Sequence, residues 1–413
     1  MENHPLKMPE LLAPAGNMEK LQAAVHYGAD AVYLGGKRYS LRAHAGNFTD
    51  ENLREAVVYA HGHGVKVYVT VNIFAHGRDL EGLDEYLLFL RDCGADGLII
   101  ADPGILATAR EKVPELAIHL STQANVTNPA SARFWAAQGV RRLNLAREMS
   151  LGEIRAIGQA VTSEIEIFVH GALCISYSGR CLLSLYLTGR DANQGDCAHP
   201  CRYKYAVVEE KRPGKYFPVE EDERGTYIFN AKDLCLLHRL PDLIAAGADS
   251  LKIEGRMKSV YYVGAMVRLY RAALDYLATH HGKGPLPDEF TAELQKIGSR
   301  GHSENFLDGA PERTEMLYQG ANVRQEFAPV AIVRQPGPTP LIEARNPIRP
   351  GDTIEYLARG LANLPCRIVA LRDTEGGELT QANPNQLAHL RTDSDHACFA
   401  ENGLFRKAIP PAA

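Results

Sequence analysis

The sequence predicts an α/β protein: a closed (β/α)8, TIM-like barrel with a long cysteine-bearing insertion, followed by a small C-terminal β-barrel-like domain. Three observations carry this. A glycine-led turn recurs at Gly28-Ala29-Asp30, Gly94-Ala95-Asp96 and Gly247-Ala248-Asp249, with Gly64-Val65 and Gly139-Val140 at equivalent points. Eight short apolar runs alternate with helical patterns. From about residue 323 the text changes to short apolar runs separated by Pro, Gly and Asn, as in a small β-domain.

The recurring turn reads as a helix closed by Gly in the left-handed region, followed by a buried strand. Candidate strands are 11–14, 31–34, 66–71, 97–101, 118–121, 142–145, 165–169 and 250–253, with helical patterns such as 52–60 and 83–90 between them. An open doubly wound sheet is the alternative arrangement of the same elements. The 413 residues divide into a catalytic barrel over 8–280 with its insertion at 174–230, a helical linker at 281–322 and a β-domain at 323–413. Within the insertion, 203–209 and 226–229 read as small strands; 289–297 reads as one more helix. The β-domain's clearest strands are 329–333, 353–356 and 367–371. Barrel enzymes carry their chemistry in the loops at the C-terminal ends of the strands.

Composition bounds the function classes. At 45% hydrophobic and 23% charged residues the chain suits a folded soluble protein. No apolar run approaches the roughly 18–20 residues of a membrane span. The start, Met-Glu-Asn-His-Pro-Leu-Lys, lacks the apolar core of a secretory signal, so a cytoplasmic location is expected. Thiols stay reduced there, and eight cysteines then point to metal or redox chemistry before disulfides. A net charge of −5 argues against a strongly basic nucleic-acid surface while leaving room for a local one.

Four of the cysteines, Cys174, Cys181, Cys197 and Cys201, fall within 28 residues in the spacing C-x6-C-x15-C-x3-C, and Cys235 follows after 33 intervening residues. Gly179, Gly195 and Pro200 let the backbone turn the thiolates towards one point. Four thiolates hold an iron–sulfur cluster or a structural zinc. Zinc sites usually pair cysteines two to four residues apart, which only Cys197 and Cys201 satisfy, so the open spacing favours the larger cluster. Buried structural thiols are the bland alternative, and it suits Cys93, Cys366 and Cys398, which sit alone on apolar patterns.

The stretch Glu166-Ile-Phe-Val-His-Gly-Ala-Leu-Cys174-Ile-Ser-Tyr-Ser-Gly-Arg-Cys181-Leu-Leu-Ser184 resembles the signature of peptidase family U-32, E-x-F-x2-G-A-L-C-x4-G-x-C-x2-S, without a departure. The likeness extends to Glu10-Leu-Leu-Ala-Pro-Ala-Gly16, Tyr39-Ser-Leu-Arg42, Ser121-Thr-Gln-Ala-Asn125, Asn230-Ala-Lys-Asp-Leu234 and Ser250-Leu-Lys-Ile-Glu-Gly-Arg256, covering about residues 8–275. Within that family the chain looks most like the branch that forms 5-hydroxyuridine in tRNA. Other branches hydroxylate an rRNA cytidine or a quinone precursor. The resemblance implies an oxygen-independent RNA hydroxylase with an iron–sulfur cluster, of the [4Fe–4S] kind, and prephenate as hydroxyl donor. It implies Cys174, Cys181 and Cys197 as ligands, with Cys201 as the fourth and Cys235 as its competitor. tRNA is the expected partner ahead of rRNA, and a paralogous subunit has room in the scheme.

A dianionic donor calls for arginines, whose planar fork binds carboxylates bidentately. Arg42, Arg147 and Arg256 each follow a predicted strand, with salt bridges to Glu148 or Glu254 as the structural alternative. His170 ends the strand before the first cysteine and is a candidate proton donor or a satisfied core histidine. Asn72, Gln123, Asn125 and Glu254 are substrate-binding candidates at the same rim.

For RNA, residues 174–215 carry Arg180, Arg190, Arg202, Lys204, Lys211, Arg212 and Lys215 against four acids, a net of +3. Tyr177, Tyr186, Tyr203 and Tyr205 are interleaved for base stacking, although an ordinary solvated insertion looks similar.

Two other classes compete. There is no G-x-S-x-G elbow or H-E-x-x-H helix, yet His170 lies four residues before Cys174 and keeps a thiol peptidase open. A zinc-stabilised RNA-binding protein is the other.

Overall fold

A computed structural model of the chain describes residues 7–41, 46–174, 176–177, 180–202, 220–222, 225–227, 232–309, 325–394 and 399–409. The glycine-led turns form as expected, with Gly28, Gly94 and Gly247 at φ of 94°, 82° and 90°, where a side chain would be strained. Each closes a helix and delivers the chain to a strand.

Those strands are β1 (Glu10–Pro14), β2 (Ala31–Gly35), β3 (Lys66–Val71), β4 (Gly97–Ile100), β5 (Ala117–Leu120), β6 (Arg142–Asn144) and β7 (Glu164–Ala172). Beyond them come a short antiparallel pair, β8 (Glu220–Asp222) and β9 (Gly225–Tyr227), then β10 (Asp233–Cys235) and β11 (Ser250–Ile253). Strands β1 to β7 pair in parallel order, and β11 lies between β7 and β1, parallel to both. The barrel is therefore closed, not an open doubly wound sheet. All eight predicted strands are present. Most of them are largely apolar because both faces of a parallel sheet are covered, while β6 and β7 carry Arg142, Asn144, Glu164, Glu166 and His170.

Helices α1 (Met18–His26), α2 (Asp50–Gly62), α3 (Leu83–Asp92), α4 (Pro103–Lys112), α5 (Pro129–Ala137) and α6 (Leu151–Ala160) form most of the outer layer. Their starts are written in the sequence. Thr49 caps α2, and Ser150 with Glu153 makes a reciprocal capping box on α6. The insertion contains a short helix, α7 (Leu183–Thr188), that sequence periodicity does not reveal. The predicted strand at 203–209 lies outside the described residues. Helices α8 (Leu240–Ala245) and α9 (Val260–Thr279) flank β11, and α10 (Asp288–Gln295) is the helix expected near 289–297. Strand β12 (His302–Ser303) pairs with β10, which runs antiparallel to the end of β7.

The C-terminal region comprises β13 (Phe327–Gln335), β14 (Leu341–Ala344), β15 (Thr353–Leu357), β16 (Asn363–Arg372), β17 (Glu378–Leu379), β18 (Leu387–Thr392) and β19 (Leu404–Ala408). These pair antiparallel in the order β15-β19-β13-β14-β18-β16-β17, and β15 returns to β16 to close the sheet. Helix α9 is apolar nearly all round because it is packed between this sheet and the parallel barrel. At the junction the Glu293 carboxylate takes hydrogen bonds from Arg268 and, bidentately, from Arg406. Among the described residues no helix is long and apolar enough to cross a membrane.

Candidate active site

The C-terminal ends of the barrel strands open into a cavity of about 350 Å³. Cys174, Cys181, Cys197 and Cys201 all line it. Their backbone is shaped by neighbours. Gly171, at φ 117°, lies so close to Glu254 that a Cβ there would sit 2.6 Å from the Glu254 carbonyl oxygen. This lets the chain turn out of β7 towards Cys174. Ser184 on α7 is fully buried, and its hydroxyl accepts from the Ala198 N–H at 3.0 Å, fastening the Cys197 segment to the Cys181 segment. The His199 N–H points at Cys197 Sγ across 3.4 Å.

Cys174 is exposed and the other three are half-buried, and none of the described cysteines is in a disulfide. Among the described residues no three His, Cys, Asp or Glu side chains converge at ligand distance. The thiols thus share a cavity without forming a finished coordination shell. Four sulfurs around one space still make a donor set suited to a soft metal centre. Cys235 stands apart: it is buried, 4.0 Å from the Tyr270 hydroxyl, its thiol pushed up to about 11 chiefly by desolvation, and it does not line the cavity. Cys366 is buried in the C-terminal core, as expected. Cys398 lies outside the described residues.

Cations line the same cavity. The Arg256 guanidinium, 4% exposed, donates to Ser40 Oγ at 3.0 Å, the Leu41 carbonyl at 3.1 Å and Thr70 Oγ1 at 3.2 Å, and also to Asn47 Oδ1. Gly35 is glycine because Arg256, Ser40 and Thr70 occupy the space a side chain would need. Arg147 donates to the Ala172 carbonyl at 2.7 Å and stacks its guanidinium 3.8 Å from the Phe168 ring centroid. Lys252 was not singled out by sequence reasoning, although it lines the cavity floor. Its Nζ donates to Glu166 Oε1 at 2.7 Å and lies 4.5 Å from the Tyr33 ring centroid. Desolvation lowers its pKa, opposed by Glu166. The available signal was a lone cation between the apolar Leu251 and Ile253.

The amides separate into two groups. Asn72 and Gln123 line the cavity and hydrogen-bond each other at 2.9 Å. Asn125 turns away in the left-handed region, at φ 53°, donating to the Gln123 carbonyl at 3.3 Å, and does not reach the cavity. Glu254 is at the rim and its backbone N–H bonds the His170 carbonyl. Arg42 lies outside the described residues.

A family model described as peptidase family U32 matches residues 16–317. The chain belongs to peptidase family U32. Among its U32 relatives, the tRNA hydroxylation protein P1 of Bacillus subtilis is 40% identical over 391 residues, covering 94% of this chain and 92% of the relative. The tRNA hydroxylation protein P of Escherichia coli is 40% identical over 392 residues, covering 84% of this chain and 86% of the relative. A 23S rRNA 5-hydroxycytidine synthase of Escherichia coli is 36% identical over 305 residues, covering 72% of this chain but 45% of the longer relative.

The U32 signature strand contains one departure from its own alternation. Lys252 pairs with Phe168, but the next residue, Ile253, pairs with His170 because β7 bulges at Val169. A bulge shifts the facing of every side chain beyond it. Phe168 faces the cavity while His170 packs outward against Tyr262, Tyr270 and His302. Of the two readings of His170, this packing fits the satisfied core histidine and not a proton donor at the rim. It is 1% exposed, its Nδ1 is 3.2 Å from the Tyr270 hydroxyl, and burial brings its pKa down to about 3. Tyr270 spends its own proton on the Val169 carbonyl, so His170 Nδ1 is the donor in this pair. No His170–Cys174 dyad of the thiol-peptidase kind is assembled.

Of the predicted RNA-binding residues, Tyr177 and Tyr186 are exposed beside the U32 cysteines, while Arg190 is paired with Asp196 at 2.8 Å. Arg180 stacks over Phe74. Tyr203, Lys204, Tyr205, Lys211, Arg212 and Lys215 fall outside the described residues, as does the side chain of Arg202.

Proposed function

We propose that this cavity is the active site of an oxygen-independent RNA hydroxylase that forms 5-hydroxyuridine at the tRNA wobble position. An iron–sulfur cluster of the [4Fe–4S] kind sits on Cys174, Cys181, Cys197 and Cys201, and prephenate is the hydroxyl donor. One observation carries the reading: four cysteine sulfurs and the cations Arg147, Lys252 and Arg256 line a single cavity at the catalytic end of the barrel. Two relatives at 40% identity over most of the chain are named for tRNA hydroxylation, which supports RNA as the substrate.

The cluster, when bound, supplies one-electron and Lewis-acid chemistry at the cavity mouth. The chain's own residues do the rest. Arg147 and Arg256 offer guanidinium forks to the two carboxylates of the donor. Arg256 is anchored by three neutral oxygens around Nη1 and by Asn47 at Nη2, so it enters the reaction already oriented. Tyr33, Phe168 and Ile99 wall the floor and keep bulk water from the bound groups.

The test is nucleoside mass spectrometry of total tRNA and rRNA from cells lacking the gene. Loss of 5-hydroxyuridine derivatives from tRNA, restored by the wild-type gene and not by Cys174→Ser, is expected. Loss of rRNA 5-hydroxycytidine instead would move the substrate. An unchanged nucleoside profile would remove the function.

A further inference from the structure

Three side-chain amides line the cavity, and the protein itself occupies two of them. Asn72 accepts from the Leu41 N–H at 3.1 Å and donates to Gln123 at 2.9 Å. Gln123 Oε1 also accepts from the Ser121 hydroxyl at 2.6 Å. Asn144 differs. It is the last residue of β6, lines the same cavity and is 2% exposed, and its buried Oδ1 has no hydrogen-bond partner among the described residues. A buried acceptor left unfilled works against folding, so such groups call for an explanation. Facing a cavity, the explanation is a ligand that supplies the missing hydrogen.

A carboxamide presents an acceptor and a donor side by side. Its complement is an edge with one donor next to one acceptor, as the N3–H and C4=O of uracil provide. We infer that Asn144 reads that edge of a uracil turned out of its RNA and inserted edge-first into the cavity. The inference rests on the RNA-hydroxylase reading above and assigns its substrate contact. The geometry is coherent. The N1–C6 side of the ring lies opposite the N3–C4 edge, so with that edge on the floor the ribose and backbone leave through the mouth. There the insertion exposes Tyr177 and Tyr186, at 54% and 87%, to flanking bases. Enzymes acting on a base withdraw it from its stack and read its pairing edge in this way. Asn144 is a positioning residue here: it holds the ring and leaves C5, beside C4, free along its flank.

The experiment measures binding of anaerobically purified full-length protein to a short stem-loop RNA with one loop uridine, and to the same RNA carrying 3-methyluridine there. Wild type should prefer uridine by about tenfold to a hundredfold, the range of a good bidentate base contact. Asn144→Ala should bind both RNAs as weakly as wild type binds the methylated one. Asn144→Leu, close in volume, guards against a void in the alanine variant, and it should lose the preference with its melting temperature maintained. Uridine preference retained in both variants overturns the assignment and leaves the RNA reading standing. Absence of wild-type binding to either RNA overturns both. Tighter wild-type binding to a cytidine version, whose edge carries the reversed pair, overturns uracil as the base.

Discussion

Lys252 and Glu166 form an ion pair of 2.7 Å inside the barrel, with side chains 4% and 1% exposed. Arg142 continues the chain of charge, reaching Glu166 at 3.5 Å, Glu10 at 2.6 Å and Glu164 at 2.7 Å. The line of charges runs from the closed end of the barrel to the cavity floor, where it presents Lys252 to whatever binds.

Removing one member of a buried pair leaves the other charge uncompensated. Glu166→Gln or Lys252→Met should each lower stability by about 3–5 kcal/mol in urea unfolding. The double variant Glu166→Gln with Lys252→Met should be less damaged than the sum of these two singles. Additive losses would mean that the two side chains act independently.

The cysteine assignment predicts metal content. Cys174→Ser, Cys181→Ser, Cys197→Ser and Cys201→Ser should each lose iron and acid-labile sulfide after anaerobic purification. Cys235→Ser and Cys366→Ser should keep both, since neither thiol lines the cavity. Zinc without sulfide in the wild type would replace the cluster, and iron loss in Cys235→Ser would make that residue a ligand.

The arginines separate donor binding from scaffolding. Losing a charge-assisted contact worth roughly 1.5–3 kcal/mol should weaken prephenate about tenfold to a hundredfold in Arg147→Ala and Arg256→Ala. Arg256→Ala should also melt lower, because Arg256 ties Ser40, Leu41 and Asn47 to Thr70. Arg256→Lys should rescue neither fully, an ammonium lacking the fork. Cluster content should be unchanged in all three. Calorimetric titration is the check, and unchanged affinity in both alanine variants would take these residues out of the donor site.

His170 predicts acid sensitivity. Its folded pKa of about 3 lies below the ordinary 6.5, so between those values the unfolded chain holds a proton that the native state refuses. Stability therefore falls as pH drops below 6.5, by about 2 kcal/mol between pH 7 and pH 5 from this residue alone. His170→Phe should shrink that fall while leaving prephenate binding intact. His26, with its pKa lowered to about 4, and His119 and His302, lowered by burial, maintain part of the slope. An identical pH dependence in the variant would show that His170 titrates normally.

Much of this was legible in the residues. Most barrel strands are short, largely apolar runs, and most follow a glycine turn; both features depend on near neighbours in the chain. The cysteine cluster was legible for the same reason, since Cys174 to Cys201 is a single local spacing. What the chain left open was the side to which His170 points, because strand alternation assumes an unbroken pleat and a one-residue bulge at Val169 reverses it. Asn125 was misjudged because a left-handed residue aims its side chain by backbone angle, not by position in a motif.

The sequence by itself determined the alternation of strands and helices, the β-domain and the placement of four thiols in one loop, while closure of the sheet rests on β11 pairing with both β1 and β7. Only the tertiary structure decided which polar groups remain for a ligand. Gln123 and Asn72 look as available as Asn144 along the chain, but they lie 51 residues apart and meet across the barrel, consuming each other's hydrogen-bonding capacity. Lys252 and Glu166 meet across 86 residues in the same way. Local pattern sets what a segment can become, whereas the partner of a buried polar group is chosen by barrel closure and strand register, which bring together residues that no local window contains.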